Sequence, residues 1–391
     1  MKTLGLFAGI GGIELGFVPQ GADTVALCEI MPEAQSILRH NFKTQIFSDV
    51  RAIEKLPDTD ILCAGFPCQN ISIAGDKKGM GGAQSSLVTE IFRLVETNKP
   101  DTIVIENVAN IISLHSGEIL KYIVEQLNTL GYSWAYRLID PRSFGIPQRR
   151  PRFVLVASQT FSPKDILFSE NEDLNATIDE KPTFDSLKGG KVKAYGFYWT
   201  EGKIGIGWAK DSIPPLKCGS SLGLPSAPAI WDIENDFFGC PSIHDAERLQ
   251  GFPVDWSKPI EIEGFKKSFR WKVLGNAVNV SVSSWVAQRL NKKNLESFDS
   301  NLATPKKSKK WAKAAFQDYG SEIYNLELSP YPLGINYTPI LTFLTEPLVP
   351  LSLKATLGFL NRVESSTLIK YPTEFIDSII KYLINQYGYQ R

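Results

Sequence analysis

Short apolar runs alternate with amphipathic segments from the start of the chain to about residue 157. The runs have the length and the β-branched content of buried strands, and the segments between them have helical spacing. Alternating strands and helices predict a parallel α/β sheet, which binds ligands at the carboxyl ends of its strands. The predicted strands are Thr3–Phe7, Thr24–Cys28, Ile61–Ala64, Thr102–Ile105 and Phe153–Ala157, and the predicted helices are Pro32–Asn41, Val88–Thr97 and Ile119–Leu130.

The pattern changes after residue 157, where Gly, Pro, Trp and short β-like pieces such as Tyr195–Trp199 and Gly202–Trp208 become frequent. A further amphipathic helix after residue 276 returns the chain to the first domain. The residues after about 294 are polar and rich in lysine, and two more helices are predicted at Ser352–Glu364 and Pro372–Tyr387. The predicted organisation is a first domain at 1–157, a smaller, irregular β-rich domain at 158–260, a return to the first domain at 261–293, and a C-terminal extension of unknown role at 294–391.

Composition narrows the class of protein. The 391 residues are 43% hydrophobic and carry no formal net charge, which is enough apolar content for two or three packed domains. The sequence has no twenty-residue apolar run, signal-type start or lipidation motif, so we expect a soluble intracellular protein. The scattered five cysteines and three histidines argue against a metal site and a disulfide framework. Local basic clusters suit a solvated surface as well as nucleic-acid binding.

A glycine-rich turn follows the first predicted strand. The segment Phe7–Gly12 opens a helix, and its glycines allow a ligand to approach the backbone closely. Glu29 ends the second strand and is placed to accept hydrogen bonds from ribose hydroxyls, and Asp49 ends a third segment. The dinucleotide fingerprint has a third glycine where this chain has Glu14. S-adenosylmethionine, which has a ribose and an adenine but no pyrophosphate, therefore fits better than NAD.

Cys68 lies in the segment Gly65–Ser72, just past the apolar run Ile61–Ala64. A thiol that leaves the end of a buried strand can face a cleft, where a nearby helix N-terminus would make it more nucleophilic. A free cysteine is, however, more often a small buried hydrophobe. The segment alone leaves both interpretations open.

A carboxyl and two guanidiniums could face the same cleft. Glu106 ends another predicted strand, and partial burial there would raise its pKa and let it donate a proton near neutral pH. Gln148, Arg150 and Arg152 alternate along an extended segment, which sends them to one side. Two guanidiniums on one face suit a carboxylate, a phosphate or a base carbonyl. A capping or ion-paired glutamate and a solvated basic edge are the alternatives.

Six motifs, taken in order, resemble those of the DNA (cytosine-5)-methyltransferases of bacterial restriction–modification systems. The similarity covers residues 1–157 and about 245–290. It implies a Rossmann-like α/β methyltransferase domain that uses S-adenosyl-L-methionine, with a smaller, irregular β-rich target-recognition domain and a C-terminal extension. The motifs are Phe-Ala-Gly-Ile-Gly-Gly, Gly-Phe-Pro-Cys-Gln, Glu-Asn-Val, Gln-Arg-Arg-Pro-Arg, Arg-Leu-Gln-Gly-Phe-Pro and Gly-Asn-Ala-Val.

The resemblance implies a role for each matching residue. Cys68 would attack carbon 6 of a cytosine flipped out of double-stranded DNA, so that carbon 5 can take the methyl group. Glu106 would hold and protonate the ring nitrogen, with Arg150 and Arg152 orienting the base and the glutamate. The implied cofactor contacts are Phe7, Ile10, Gly12, Glu29, Ile30, Asp49, Pro67, Leu87, Asn276 and Val278.

The sequence departs from the family in the variable domain, where the best counterpart of its usual Thr-Leu pair is Pro215-Leu216. Three rival functions are a tRNA cytosine methyltransferase, a catalytically inactive DNA-binding relative, and an adenine amino-methyltransferase; the chain lacks the motif of the last. We expect the enzyme to act as a monomer on DNA, to be cytoplasmic and nucleoid-associated, and to be accompanied by a separately encoded restriction endonuclease. The target sequence cannot be derived from these residues.

Overall fold

The computed structural model describes residues 1–67, 87–168, 176–183, 190–219, 227–292 and 296–390. The chain forms two compact units. The first unit comprises Met1–Ser143, Pro151–Ala176 and Ala277–Gly334, and the second comprises Phe144–Arg150, Thr177–Asn276 and Ile335–Arg391. The division into domains at 1–157, 158–260, 261–293 and 294–391 stays a prediction.

The strands, in chain order, are β1 Lys2–Leu6, β2 Asp23–Cys28, β3 Gln45–Phe47, β4 Ile61–Ala64, β5 Thr102–Val108, β6 Ser133–Ile139, β7 Arg152–Ser158, β8 Ala194–Phe197, β9 Ala209–Lys210, β10 Ala229–Asp232, β11 Phe237–Cys240, β12 Thr304–Pro305, β13 Ala314–Gln317, β14 Tyr324–Leu326 and β15 Val349–Pro350. The helices are α1 Gly12–Phe17, α2 Pro32–Asn41, α3 Leu87–Asn98, α4 Glu118–Thr129, α5 Pro163–Leu167, α6 Ile243–Leu249, α7 Pro259–Ile262, α8 Ser268–Asn276, α9 Val280–Asn291, α10 Ile340–Phe343, α11 Leu353–Glu364 and α12 Thr373–Tyr387. The α2 helix has the bounds that its spacing predicts.

The sheet of the first unit contains ten described strands in the order β12-β14-β13-β6-β7-β5-β4-β1-β2-β3. The five strands from β5 to β3 run parallel. Each residue of β4 is buried, as expected for a central strand with helices on both faces. The carboxyl ends of β1, β2, β4 and β5 therefore lie at one edge of the sheet.

The prediction of a parallel sheet is wrong for the strand at 152–158. β7 runs antiparallel to both β5 and β6 and lies between them. The helix α4 separates β5 from β6 and allows those two strands to run in the same direction. Among the described residues, only a 3-10 turn separates β6 from β7. β7 therefore runs in the opposite direction and lies between β5 and β6 in the sheet.

The second unit has a five-stranded sheet in the order β15-β11-β10-β8-β9, and its pairs are antiparallel. The helices α11 and α12 cover one face, where Phe375 packs against aromatic rings of Phe197, Trp208 and Trp231 at centroid distances of 5.5, 4.7 and 5.0 Å. Buried aromatic side chains thus hold the two C-terminal helices on the sheet.

The β-like piece predicted at Gly202–Trp208 does not form a strand. Gly202, Gly205 and Gly207 have φ angles of 149°, 141° and 66°, which a regular strand does not use. The residues form the loop between β8 and β9 instead.

The C-terminal extension divides between the two units. β12 to β14 add three strands to the sheet of the first unit. The polar, lysine-rich segment Asn294–Lys310, which looks like a linker in the sequence, contributes β12 to this sheet. Ser352, the first residue of the predicted helix Ser352–Glu364, caps α11, because its hydroxyl accepts a hydrogen bond from the Ala355 amide at 3.3 Å. β15, α11 and α12 belong to the second unit.

Candidate active site

The predicted nucleophile Cys68 lies outside the described residues, but the strand that leads to it is described. β4 ends at Ala64, and Gly65, Phe66 and Pro67 follow it. Burial raises the pKa of the Cys63 thiol within this strand well above its usual value, which makes Cys63 a poor nucleophile. Burial likewise raises the pKa of Cys28 to about 12.

Asn107 holds the backbone just before Cys68. Its side-chain amide donates a hydrogen bond to the carbonyl of Phe66 at 2.9 Å, and its oxygen accepts one from the Val108 amide at 2.9 Å. The side chain is 3% exposed, so the bond is shielded from water. Sequence reasoning assigned no role to Asn107; the signal was an amide next to Glu106 at the end of a mainly apolar strand.

Glu106 lies on β5 and forms an ion pair with Arg152, the first residue of β7. The Arg152 Nε and the Glu106 Oε1 are 3.2 Å apart, and both side chains are largely shielded from solvent. Because β7 runs antiparallel to β5, its amino end meets the carboxyl end of β5. The strand reversal therefore brings the predicted acid and one predicted guanidinium together.

Gly65 marks the point where predicted residues converge. A Cβ atom on Gly65 would lie 3.6 Å from a Val278 methyl group, 3.8 Å from Glu106 Oε2 and 3.8 Å from the Phe7 carbonyl oxygen. Glu106 and Val278 also line one small, mainly apolar pocket with Ile13, Phe17, Val104, Val154, Val282, Ser283 and Val286. The first glycine-rich turn, the strand end before Cys68, the Glu106 carboxyl and Val278 are thus neighbours.

The glycine-rich turn is held by Glu29. One oxygen of the Glu29 carboxylate accepts a hydrogen bond from the Gly9 amide, and the other accepts one from the Met31 amide, each at 2.8 Å. Phe7 has a φ of 55°, a left-handed conformation that side chains other than glycine rarely adopt and that is common at ligand sites. Burial raises the pKa of Glu29, and hydrogen bonds from the backbone amides of Met31, Gly9 and Ile30 oppose that shift.

The other predicted cofactor contacts of the first unit lie near the glycine-rich turn in sequence or farther along the chain. Ile30 follows Glu29 and is 65% exposed. Asp49 forms an ion pair with Arg51 at 2.6 Å, and this bond lowers the pKa of its carboxyl. Ile10 and Gly12 are buried at the start of α1, Pro67 is exposed, and Leu87 packs against the core at the start of α3.

Arg150 and Asn276 belong to the second unit. The Arg150 guanidinium donates to the carbonyls of Leu216 and Gly275 at 3.0 and 2.9 Å. Gln148 accepts the Leu216 amide at 3.1 Å, so Gln148 and Arg150 hold both sides of this residue. Asn276 ends α8 and is exposed. Arg150 thus links its own motif to Leu216 and Gly275 through their backbone carbonyls. No sequence pattern marks which carbonyls will be its partners.

The residues present fit S-adenosylmethionine. The fixed Glu29 carboxylate still has acceptor capacity for ribose hydroxyls, since its two oxygens carry four lone pairs and three backbone amides, those of Gly9, Met31 and Ile30, hydrogen-bond to it. The exposed Ile30 beside it offers an apolar surface for a base. Among the described residues, no cluster of three or more His, Cys, Asp or Glu side chains could hold a metal ion, and no helix is long and apolar enough to cross a bilayer.

The end of β4, the Glu106 carboxyl and the glycine-rich turn thus lie together at one edge of a mixed α/β sheet. Residues 1–204 match the family model of the C-5 cytosine-specific DNA methylases. The chain belongs to this family.

Curated relatives extend the similarity beyond the family model. The chain is 42% identical to the type II methyltransferase M2.BsuMI of Bacillus subtilis (strain 168), over 97% of each chain. It is 31% identical to the type II methyltransferase M.MspI of Moraxella sp, over 74% of this chain and 70% of the relative. The crystal structure of a Spodoptera frugiperda DNMT2 mutant aligns with a TM-score of 0.49 at 18% identity, covering 74% of this chain and 99% of that chain.

Proposed function

We propose that the protein methylates carbon 5 of one cytosine within a specific sequence of double-stranded DNA. The reacting ring carbons are inaccessible inside the base stack, so the target cytosine is flipped out of the duplex. S-adenosyl-L-methionine, when bound, supplies the methyl group. Family membership and the two type II methyltransferase relatives support this proposal.

Cys68 is the proposed nucleophile. Its thiolate attacks carbon 6, a carbon–sulfur bond forms, and electron density moves to carbon 5, which takes the methyl group. Loss of the carbon 5 proton and departure of the thiolate then restore the ring. The bond from Asn107 to the Phe66 carbonyl supports this role, because it orients the backbone two residues before Cys68.

Glu106 is the proposed acid that holds the ring nitrogen of the cytosine. Arg152, at 3.2 Å, orients its carboxyl group. Arg150 acts from the second unit by holding Leu216 and Gly275. The proposed cofactor contacts are Phe7, Ile10, Gly12, Glu29, Ile30, Asp49, Pro67, Leu87, Asn276 and Val278.

The convergence at Gly65 carries the proposal. Its Cβ position lies within 3.8 Å of both Glu106 and Val278, and Cys68 follows three residues later. The acid and the glycine-rich turn thus lie where the chain leads into the proposed nucleophile, as a methyl transfer to a held base requires.

The test is transfer of a labelled methyl group from S-adenosylmethionine to a duplex library or to tRNA. We expect duplex methylation by the wild type and covalent trapping on duplexes with 5-fluorocytosine at the target. Cys68→Ala should bind DNA without product, and Glu106→Gln should lose about 10²- to 10⁴-fold in rate. Cys218→Ala, at an exposed cysteine, is the control that should keep full activity. Turnover by Cys68→Ala, or methylation of tRNA alone, would contradict the proposal.

The proposal also covers the biological setting. A type II methyltransferase of this kind protects host DNA against a separately encoded restriction endonuclease, and acts in the cytoplasm as a monomer on DNA. Cells that carry the gene should contain one methylated sequence context, and bisulfite sequencing of their DNA would identify it.

A further inference from the structure

The loop between β8 and β9, residues 198–208, is closed at its base. The Tyr198 amide donates to the Ile206 carbonyl at 2.7 Å, and the Glu201 amide donates to the Tyr198 carbonyl at 3.1 Å. Ends that lie this close are typical of compact surface loops that carry function. We call residues 198–208 the β8–β9 loop.

The tip of the β8–β9 loop presents an apolar and a cationic side chain. Ile204 is 80% exposed and its neighbour Lys203 is also exposed. No ion pair is recorded for Lys203 within the described ranges. Both side chains at the exposed tip are therefore available to a partner. The conformation of the tip depends on hydrogen bonds made elsewhere in the loop.

Three side chains of the C-terminal extension hold the backbone of this loop. Arg362 donates to the carbonyls of Trp199 and Glu201 at 2.7 and 3.1 Å. The Tyr371 hydroxyl donates to the Gly202 carbonyl at 2.5 Å, and the Ser366 hydroxyl donates to the Lys203 carbonyl at 2.9 Å. Four carbonyls within five residues thus bond to α11 and the segment that follows it.

The contact is close as well as polar. A Cβ atom on Gly202 would lie 2.9 Å from the Arg362 Cβ, so only glycine allows α11 to approach the loop this closely. Tyr371 is 6% exposed, which shields its hydrogen bond from water. The loop is therefore fixed by an element that the family model does not cover.

The base of the loop connects to the proposed active-site residues of the same unit. The Lys217 ammonium pairs with Glu201 at 2.5 Å and lies 3.5 Å from the Tyr198 ring centroid. The Tyr198 hydroxyl donates to the Pro215 carbonyl at 2.9 Å. Pro215 precedes Leu216, the residue that Arg150 and Gln148 hold. The loop and the Arg150 cluster are thus parts of one hydrogen-bonded assembly.

We propose that Lys203 and Ile204 contact duplex DNA during target recognition, and that Arg362, Ser366 and Tyr371 are positioning residues for that contact. The inference rests on the proposed function. A lysine ammonium suits a backbone phosphate, and an apolar side chain suits a thymine methyl group in the major groove. A tip held by four hydrogen bonds loses little conformational entropy on binding.

The tip is tested by Lys203→Ala and Ile204→Ala, with Lys354→Ala on the exposed start of α11 as the control. The kcat/KM for the cognate duplex and for duplexes with one changed base pair is measured at several salt concentrations. Lys203→Ala should raise the KM for DNA and reduce the salt slope by about one. Ile204→Ala should reduce discrimination between sites by about tenfold or more. Unchanged KM, salt slope and discrimination in both variants would overturn the proposal.

The positioning residues are tested by Tyr371→Phe, which removes one hydroxyl. Tyr382→Phe is the matched control, because that buried tyrosine donates at 2.9 Å to Leu351 in the same unit. Tyr371→Phe should raise the KM for DNA without changing kcat or cofactor affinity, and should add little in a Lys203→Ala background. Arg362→Met should act in the same direction; if it fails to fold, Tyr371→Phe decides alone.

Equal effects of Tyr371→Phe and Tyr382→Phe, or full additivity with Lys203→Ala, would show that Tyr371 only stabilises the fold and would overturn its positioning role. Failure of the wild type to methylate any duplex would instead refute the proposed function. The two failures are therefore distinguishable from the wild-type control.

Discussion

Glu14 is a carboxyl group buried behind the glycine-rich turn. Its side chain is on α1, it is 1% exposed, and its Oε2 has no hydrogen-bond partner among the described residues. A Cβ atom on Gly5 of β1 would lie 1.9 Å from Glu14 Oε1, so the carboxyl fills the space that this glycine leaves. Burial raises the pKa of Glu14 from 4.5 to about 7.

The raised pKa makes stability depend on pH in a defined direction. Between about pH 4.5 and 7 the folded protein binds a proton at Glu14 that the unfolded chain has lost, so stability falls as the pH rises through this window. Each unit of pKa corresponds to about 1.4 kcal/mol, which gives a difference of about 3 kcal/mol across the window. The stability that Glu14 contributes through this bound proton is complete below the pKa of the unfolded chain, 4.5. It is lost above the pKa of the folded protein, about 7.

Glu14→Gln should remove this dependence, because glutamine has the shape of a neutral glutamic acid. The free energy of unfolding, measured by urea titration from pH 5 to pH 8, should be similar for both proteins at pH 5. At pH 8 the variant should be more stable by about 3 kcal/mol. Glu54→Gln, at an exposed position, is the control and should leave the curve unchanged. Parallel curves for wild type and Glu14→Gln would refute the reasoning, as would the lack of an infrared band for a protonated carboxyl that Glu14→Gln removes.

Two other predictions follow from the cofactor site and the C-terminal helices. Glu29→Ala should weaken S-adenosylmethionine binding by about ten- to hundredfold in calorimetry, and also lower the melting temperature because the Gly9 and Met31 amides lose their acceptor. Truncation after Gly334 should cause low-temperature melting or aggregation, because it removes β15, α11 and α12 from the sheet of the second unit and exposes an aromatic core.

Each of these two predictions has a result that would contradict it. An unchanged dissociation constant for Glu29→Ala would remove Glu29 from the cofactor site, and Glu33→Ala, at a half-buried residue of the neighbouring helix α2, serves as its control. A truncated protein with full stability and DNA affinity would show that the two helices neither complete the second unit nor position a DNA contact.

The apolar runs predicted the parallel strands β1, β2, β4 and β5 because burial on both faces requires a continuous run, and they missed the three-residue strand β3. β4 has the predicted bounds Ile61–Ala64. The direction of β7 was not predictable in the same way, since a buried strand has the same composition whether it runs up or down. The Glu106–Arg152 ion pair follows from that direction.

Residues that act through backbone carbonyls were the hardest to predict. Arg150 was expected to share one side with Arg152, and the described acceptors of its guanidinium include carbonyls from residues 66 and 125 positions away. A carbonyl is present at every residue, so the sequence does not mark which one will be an acceptor. The short strands β12 to β14 were missed for a related reason, because two to four residues carry too little periodicity.

Both units are completed by segments that come late in the chain, at residues 280–350. β13 pairs with β6, α1 packs closely on α9, where a Cβ atom on Gly16 would lie 2.5 Å from Ser283, and β15 pairs with β11. Contacts between such distant segments form slowly, since the intervening chain must close into a large loop. A nascent chain on the ribosome therefore lacks a closed core until the residues up to about 350 emerge. Prematurely terminated products should consequently be substrates for chaperones and proteases rather than partially active enzymes.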